Sequence, residues 1–149
     1  LAFYFKKDSF ANLNKLIHKA FEHAETMIEA SPFDPFVMIE GKPTGGKVRV
    51  QLERFRSMEE AKRFVLKIKT GDDIELFALC CDVPPASKHK ERLIVLQVHE
   101  RGMSHNAHFC QMYQPKGWIR RAALCGGITN MNVVDPSLSV IPEEWLKQK

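Results

Sequence analysis

Two aliphatic runs near the middle of the chain constrain its fold most strongly. Residues 74–83 and 92–99 are rich in Leu, Ile, Val and Cys, and they are bounded by Pro84-Pro85 and Gly102. Aliphatic segments of this length between breaking residues are typical of the central strands of a sheet. We therefore expect a sheet at the core, against which the remaining elements pack.

A first amphipathic helix is expected near the beginning of the sequence. Asp8 or Ser9 supplies an N-cap, and apolar residues then recur at helical spacing as far as Ala30. Pro32 and Pro35 end the pattern, because proline lacks an amide donor and disfavours helix in the residue before it. The prediction is one long helix followed by a turn.

A hairpin and a second helix come next. Residues 36–40 and 48–52 have strand patterns, and the second alternates between apolar and polar residues. This arrangement predicts a hairpin with one solvent-exposed face. Ser57 and Glu60 have the spacing of a capping box, and the helix that they begin is expected to end near Lys69. Both elements precede the aliphatic strands.

Shorter strands are expected after the aliphatic runs. Residues 107–113 are predicted to return beside the second run, and residues 118–125 and 128–134 to form two further strands separated by Gly126-Gly127. A terminal helical turn begins at Pro142, Glu143 and Glu144.

This element order favours the α+β class. At 149 residues, 44% hydrophobic and 27% charged, the chain has the size and composition of one folded domain spanning residues 1–149. We predict an antiparallel or mixed sheet of five to seven strands with the two main helices packed on one face. A second helix that crosses over between parallel strands is the alternative that the sequence leaves open.

Several features favour the cytoplasm as the working compartment. No apolar run approaches the roughly 20 residues that cross a bilayer, and residues 1–7 are apolar and then basic, the reverse of a secretory signal. The four cysteines have no CxxC spacing and are expected to behave as small hydrophobic residues. We expect no membrane partner.

Three histidines and a cysteine form the most suggestive cluster. His99, His105, His108 and Cys110 carry the natural ligands of zinc and related divalent metals. In a symmetric hairpin His99 lies directly opposite His108, and Cys110 shares their face because strand side chains alternate. A metal-dependent hydrolase, with Glu100 as its base, is the function that such a site implies.

The basic residues are concentrated in one segment. The net charge is +4, yet residues 47–69 hold eight basic and three acidic residues. A patch attractive to phosphates is predicted there, for nucleic acid or another polyanion. Its members are Arg49, Arg54, Arg56, Lys62, Arg63 and Lys67.

Glu40-Gly41-Lys42, with Asp34 before it, loosely resembles the acidic residue, spacer and lysine of restriction-endonuclease-like nucleases. The resemblance covers only these few residues. It implies carboxylates that hold magnesium and a lysine that helps to activate water.

The sequence carries no nucleophile elbow or phosphate-binding glycine loop. Our leading hypothesis is therefore a small non-catalytic binding or interaction module with no cofactor, acting on a protein partner or as a homodimer. The aromatic residues Phe3, Tyr4, Phe5, Phe33 and Phe36 are candidates for such a contact surface, and a core role is the equally favoured alternative. The metal-dependent hydrolase and the polyanion-binding protein are the alternatives.

Overall fold

The computed structural model describes residues 2–6, 12–41, 47–68, 74–84, 90–101, 103, 106–131 and 140–146. Seven strands and three helices occupy these ranges. In chain order they are β1 (Ala2–Lys6), α1 (Asn12–Met27), β2 (Phe36–Gly41), β3 (Lys47–Arg54), α2 (Met58–Leu66), β4 (Ile74–Val83), β5 (Arg92–Glu100), β6 (Ala107–Gln114), β7 (Ala123–Asn130) and α3 (Glu143–Leu146). A 3-10 turn over Ile28–Ala30 continues α1.

All seven strands belong to one antiparallel sheet, in the order β1-β3-β2-β4-β5-β6-β7. The α+β class and the predicted strand number are confirmed. The β2–β3 hairpin and the antiparallel run from β4 to β6 also lie where the sequence placed them. β1 was not predicted, and it extends the sheet by pairing with β3.

The two main helices lie on opposite faces of the sheet, so the prediction that they share one face is wrong. Leu16, Ala20 and Ala24 of α1 pack with Met38 and other residues on one face, whereas Ala61 and Val65 of α2 pack with Val37, Phe77 and Leu79 on the other. We call these the α1 face and the α2 face.

Topology explains the difference. The connection from β1 to β2 skips β3, the connection from β3 to β4 skips β2, and both move the same way across the sheet. β1 and β3 run in opposite directions. Crossover connections between parallel strands are right-handed. Two crossovers that move the same way across the sheet, but start from strands of opposite direction, therefore place their helices on opposite faces. α2 is thus a crossover of the kind that the alternative described.

Local signals set the helix boundaries. The amide of Glu60 donates to Ser57 Oγ at 3.2 Å, which confirms Ser57 as the N-cap. The carboxylate of Glu60 accepts from the amide of Arg56 at 3.2 Å, one residue before the amide that a capping box uses. The 3-10 turn after α1 ends at Ala30, as predicted, while residues 8–11 lie outside the described ranges.

β7 differs from its prediction. One strand runs through Gly126-Gly127, and residues 118–120 form a bend instead of the start of a strand. Gly126 has a φ of +84°, and the pairing with β6 is irregular between Cys110 and Met112, so the two strands accommodate the glycines without a break. No helix in the described ranges is long and apolar enough to span a bilayer.

Phe33 and Phe36 are buried in the core on the α1 face, so neither belongs to a contact surface. For these two residues the core role, one of the two alternatives from the sequence, is confirmed. The side chains of Phe3, Tyr4 and Phe5 lie outside what the structure describes.

Candidate functional site

A cavity of about 420 Å³ lies between α2 and the α2 face of the hairpin. Ile39, Phe64, Ile68 and Ile74 form its apolar surface. Its polar and basic lining residues are Arg49, Gln51 and Lys67, together with Gly41 of the β2 end. Arg49 and Lys67 are both exposed, so the cavity combines an apolar interior with two cations in contact with solvent.

A second, shallower cavity of about 330 Å³ continues along α2. It shares Phe64 and Lys67 with the first and adds Phe55, Glu60 and Arg63. The rings of Phe55 and Phe64 are 5.2 Å apart. We call the two cavities together the α2 groove. Its cations are Arg49, Arg63 and Lys67, three of the six predicted polyanion-binding residues.

The other three predicted basic residues lie elsewhere. Arg54 is on the α1 face, where burial and, secondarily, the positive charge of Arg54 lower the pKa of His23. Lys62 lies near enough to Cys81 to oppose the rise in the pKa of that thiol, and Arg56 precedes α2, where its amide bonds to Glu60. The structure therefore divides the predicted patch between the two faces of the sheet.

The histidine cluster has a different register from the one predicted. His108 lies opposite Gln97, so His99 is displaced along β5 by two residues. Because the displacement is two, His99, His108 and Cys110 still share the α2 face. His99 is 1% exposed, and its ring lies 5.9 Å from that of Phe77 and 5.4 Å from that of Trp145.

A buried hydrogen-bond network fixes the His99 ring. Asn106 Nδ2 donates to Gln97 Oε1 at 2.7 Å and to the Val140 carbonyl at 2.9 Å, which orients Asn106 Oδ1 toward His99 Nδ1 at 2.9 Å. Since an amide oxygen only accepts, His99 Nδ1 carries the proton and donates. The Val140 amide also donates to Gln97 Oε1, so the network connects residues 140–146 to β5 through hydrogen bonds.

Within the described ranges no three His, Cys, Asp or Glu side chains are placed to hold a metal ion. His105 lies outside these ranges, so the four-ligand site stays a prediction. Burial raises the pKa of Cys110 and raises that of Cys81 to about 11. A thiolate ligand at Cys110 would thus form at an added cost.

The pair that resembled a nuclease motif is split between two environments. Glu40 is buried on the α1 face, opposite Val50 and Leu76, whereas Asp34 is exposed in the turn before β2. Lys42 lies outside the described residues.

Sequence reasoning missed a polar cluster on the α1 face. Asp82 Oδ2 accepts from the hydroxyl of Tyr113 at 2.6 Å and from the amide of Phe33 at 3.0 Å, and Oδ1 pairs with Arg92 Nε at 2.8 Å. Ser31 Oγ lies 2.6 Å from the Tyr113 hydroxyl. An acidic residue near the end of an aliphatic strand was the available signal, because such a group requires a partner when buried.

Comparison with protein-family models, with curated proteins and with solved structures finds no match to this chain.

Proposed function

We propose that the protein is a non-catalytic binding module that holds a small amphipathic organic anion in the α2 groove. The apolar part of the ligand contacts Phe64, Ile68 and Ile74. Its carboxylate, sulfonate or phosphate pairs with Arg49 and Lys67. The proposal unites the sequence hypothesis of a binding module with the anion preference of the basic segment.

The observation that carries the proposal is the convergence of Arg49 and Lys67 on one cavity. They come from β3 and from the end of α2, yet both line the cavity of about 420 Å³ over an apolar surface. That volume is within the usual range for small-molecule sites, which combine apolar walls with a few polar groups. None of the described lining residues of this larger cavity is acidic.

The distribution of charge favours a small anion over a long polyanion. A nucleic-acid strand needs a continuous positive surface along its backbone. Arg54 lies on the opposite face of the sheet, and Glu60 lines the second cavity beside Arg63. Among the side chains that the structure describes, the favourable positive region is therefore short, and one anionic group satisfies it.

The lining of the larger cavity favours binding without catalysis. Its described residues include no carboxylate, imidazole, hydroxyl or thiol, the groups that most often transfer protons or attack substrates. The guanidinium of Arg49 serves as a hydrogen-bond donor. Such a site orients an anion and holds it.

A matched pair of fluorescent probes tests the proposal. Anilinonaphthalene sulfonate is an amphipathic anion, and phenylnaphthylamine is its uncharged analogue. We expect stoichiometric binding of the anion and weaker binding of the analogue. Arg49→Ala and Lys67→Ala should each weaken anion binding by about tenfold, because each removes a partly exposed charge-assisted contact.

The controls separate charge from packing. Lys67→Arg keeps the cation and should retain anion binding. Lys62→Ala removes an exposed cation outside the groove and should leave the affinity for both probes unchanged. Phe64→Ala removes part of the apolar surface and should lower the affinity for both probes. Equal affinity of wild type and Arg49→Ala/Lys67→Ala for the anion, with circular dichroism showing both folded, would contradict the proposal.

Four further expectations remain predictions from the sequence. They are the homodimer, the protein partner, the cytoplasmic compartment and the metal-dependent hydrolase.

A further inference from the structure

The turn between β6 and β7 carries the most exposed large apolar side chains that the structure describes. Trp118 is 101% exposed and Ile119 is 94% exposed, whereas the other tryptophan, Trp145, is buried. Single exposed apolar residues are common, but two adjacent large ones at a turn mark an interaction site. We define the β6–β7 tip as residues 116–121.

Two backbone amides at the β6–β7 tip and its base form hydrogen bonds that fix the turn. The amide of Gly117 donates to the carbonyl of Arg120 at 2.8 Å, which closes the turn around Trp118 and Ile119. At the base, the amide of Ala122 donates to Glu29 Oε1 at 3.0 Å, which joins the tip to the end of α1. The two apolar side chains are thus presented to solvent by a hydrogen-bonded turn.

The charged side chains within the tip are all basic. Lys116, Arg120 and Arg121 are exposed and flank the apolar pair on both sides. From Gln111 to Met131 the sequence contains these three basic residues and no acidic one. Glu29 is the acidic group that contacts the turn, and it does so at the base. The expected partner is therefore anionic where it meets the rim of the tip and apolar where it meets the centre.

We propose that the β6–β7 tip binds the surface of an anionic phospholipid bilayer. Tryptophan favours the boundary between headgroups and acyl chains, an isoleucine beside it adds buried apolar area, and basic side chains pair with anionic headgroups. A nucleic acid fits less well. Its bases can stack on the ring of Trp118, but they offer no comparable apolar contact to Ile119. Contact with a bilayer surface needs no spanning segment, so the proposal is compatible with the finding that no described helix is long and apolar enough to cross a bilayer.

Vesicle binding tests the proposal through a readout at the tip itself. The probes are vesicles of phosphatidylcholine alone and of phosphatidylcholine with about 30 mol% phosphatidylserine. We expect co-flotation with the anionic vesicles alone, accompanied by a blue shift of tryptophan emission. Because Trp145 is buried, the shift reports on Trp118, and Trp118→Phe should remove it.

Substitutions at the tip are expected to leave folding intact, since the side chains are exposed. Arg120→Ala/Arg121→Ala should weaken binding by about thirtyfold, because each basic residue near an anionic membrane contributes roughly a fivefold factor. Trp118→Ser/Ile119→Ser should abolish co-flotation. The matched control Arg49→Ala/Lys67→Ala, in the α2 groove, should bind as wild type does.

Three outcomes would overturn the proposal. The first is vesicle binding that survives Trp118→Ser/Ile119→Ser. The second is binding lost in the groove variant, which would assign the lipid contact to the α2 groove. The third is no vesicle binding together with capture of a single-stranded oligonucleotide that depends on Trp118. Circular dichroism of every variant checks that folding is unchanged.

Discussion

The carboxylate of Asp82 and the hydroxyl of Tyr113 are joined by a hydrogen bond of 2.6 Å between β4 and β6, which are separated in the sheet by β5. The Asp82 side chain is 1% exposed, and its other oxygen pairs with Arg92 of the intervening strand. The turn after α1 joins the same cluster through Ser31 and Phe33. One carboxylate therefore links three strands and the end of a helix.

Removal of the Asp82 charge should strongly destabilise the fold. Asp82→Asn weakens the pairing with Arg92 and replaces an acceptor oxygen by a donor amide, and breaking a buried ion pair typically costs about 3–5 kcal/mol. Since Arg92 is partly exposed, we expect a loss of about 3 kcal/mol. Tyr113→Phe keeps the ring and should cost about 1–2 kcal/mol. Urea unfolding gives both values.

A double-mutant cycle provides the control for that prediction. If Asp82 and Tyr113 interact directly, Asp82→Asn/Tyr113→Phe should cost less than the sum of the single variants. Strict additivity would mean that the 2.6 Å contact contributes nothing to stability.

The same contact predicts how stability changes with alkaline pH. Burial, followed by the bond to Asp82, raises the pKa of Tyr113 to about 12, above its ordinary value of about 10. The folded state therefore holds the phenolic proton more tightly than the unfolded state, so this contribution is complete below about pH 10. It is lost as the pH rises toward about 12.

Comparison of wild type with Tyr113→Phe isolates the effect. The stability advantage of wild type should shrink between these two pH values. Phenolate absorption provides a second measurement, because the chain has two tyrosines and Tyr4→Phe leaves Tyr113 alone. An absorbance titration of folded Tyr4→Phe centred near pH 10 would contradict the prediction.

The strands and helices that the sequence predicted correctly have local causes. The N-cap at Ser57 and the aliphatic composition of β4 and β5 determine structure through neighbouring residues alone. The choice of face for α1 and α2 is not local. β2 has apolar side chains on both faces, at Phe36, Val37 and Met38, so its pattern permits a helix on either face. The handedness of the crossovers determines which helix packs on which face.

The candidate site was predictable only in part for the same reason. Arg49 and Lys67 were singled out by the local density of basic residues, but their convergence on one cavity depends on how α2 crosses β2. The Asp82 cluster joins residues 31, 33, 82, 92 and 113, whose separations along the chain conceal their contact. His108 was placed opposite His99, two residues from its true partner Gln97, because strand composition does not specify the register of a loop-connected pair.

The adjacent glycines of β7 offer a matched test of backbone strain. A Cβ built on Gly126 or on Gly127 meets nothing within 4 Å, so neither substitution is opposed by packing. Gly126 has a φ of +84°, a conformation that costs a residue with a side chain about 1–2 kcal/mol. We expect Gly126→Ala to lose that amount in urea unfolding. Gly127→Ala should be neutral or stabilising by up to about 1 kcal/mol, because it restricts the unfolded chain. Equal losses in the two variants would contradict this assignment.

The environment of His99 predicts the result of a metal analysis. Its Nδ1 donates to Asn106, which leaves Nε2 as the nitrogen for coordination. The ring is buried between Phe77 and Trp145, so a metal ion would have to displace packed aromatic side chains to reach it. We expect untagged protein to contain no stoichiometric zinc, and added zinc to leave the melting temperature unchanged. Asn106→Ala should cost about 2–3 kcal/mol, because it removes the buried hydrogen bonds that Asn106 makes to His99, to Gln97 and to the Val140 carbonyl, and it should increase proteolysis near Val140. A stoichiometric metal that is lost in both His99→Ala and His108→Ala would instead support the hydrolase alternative, since it would require these side chains to converge with His105.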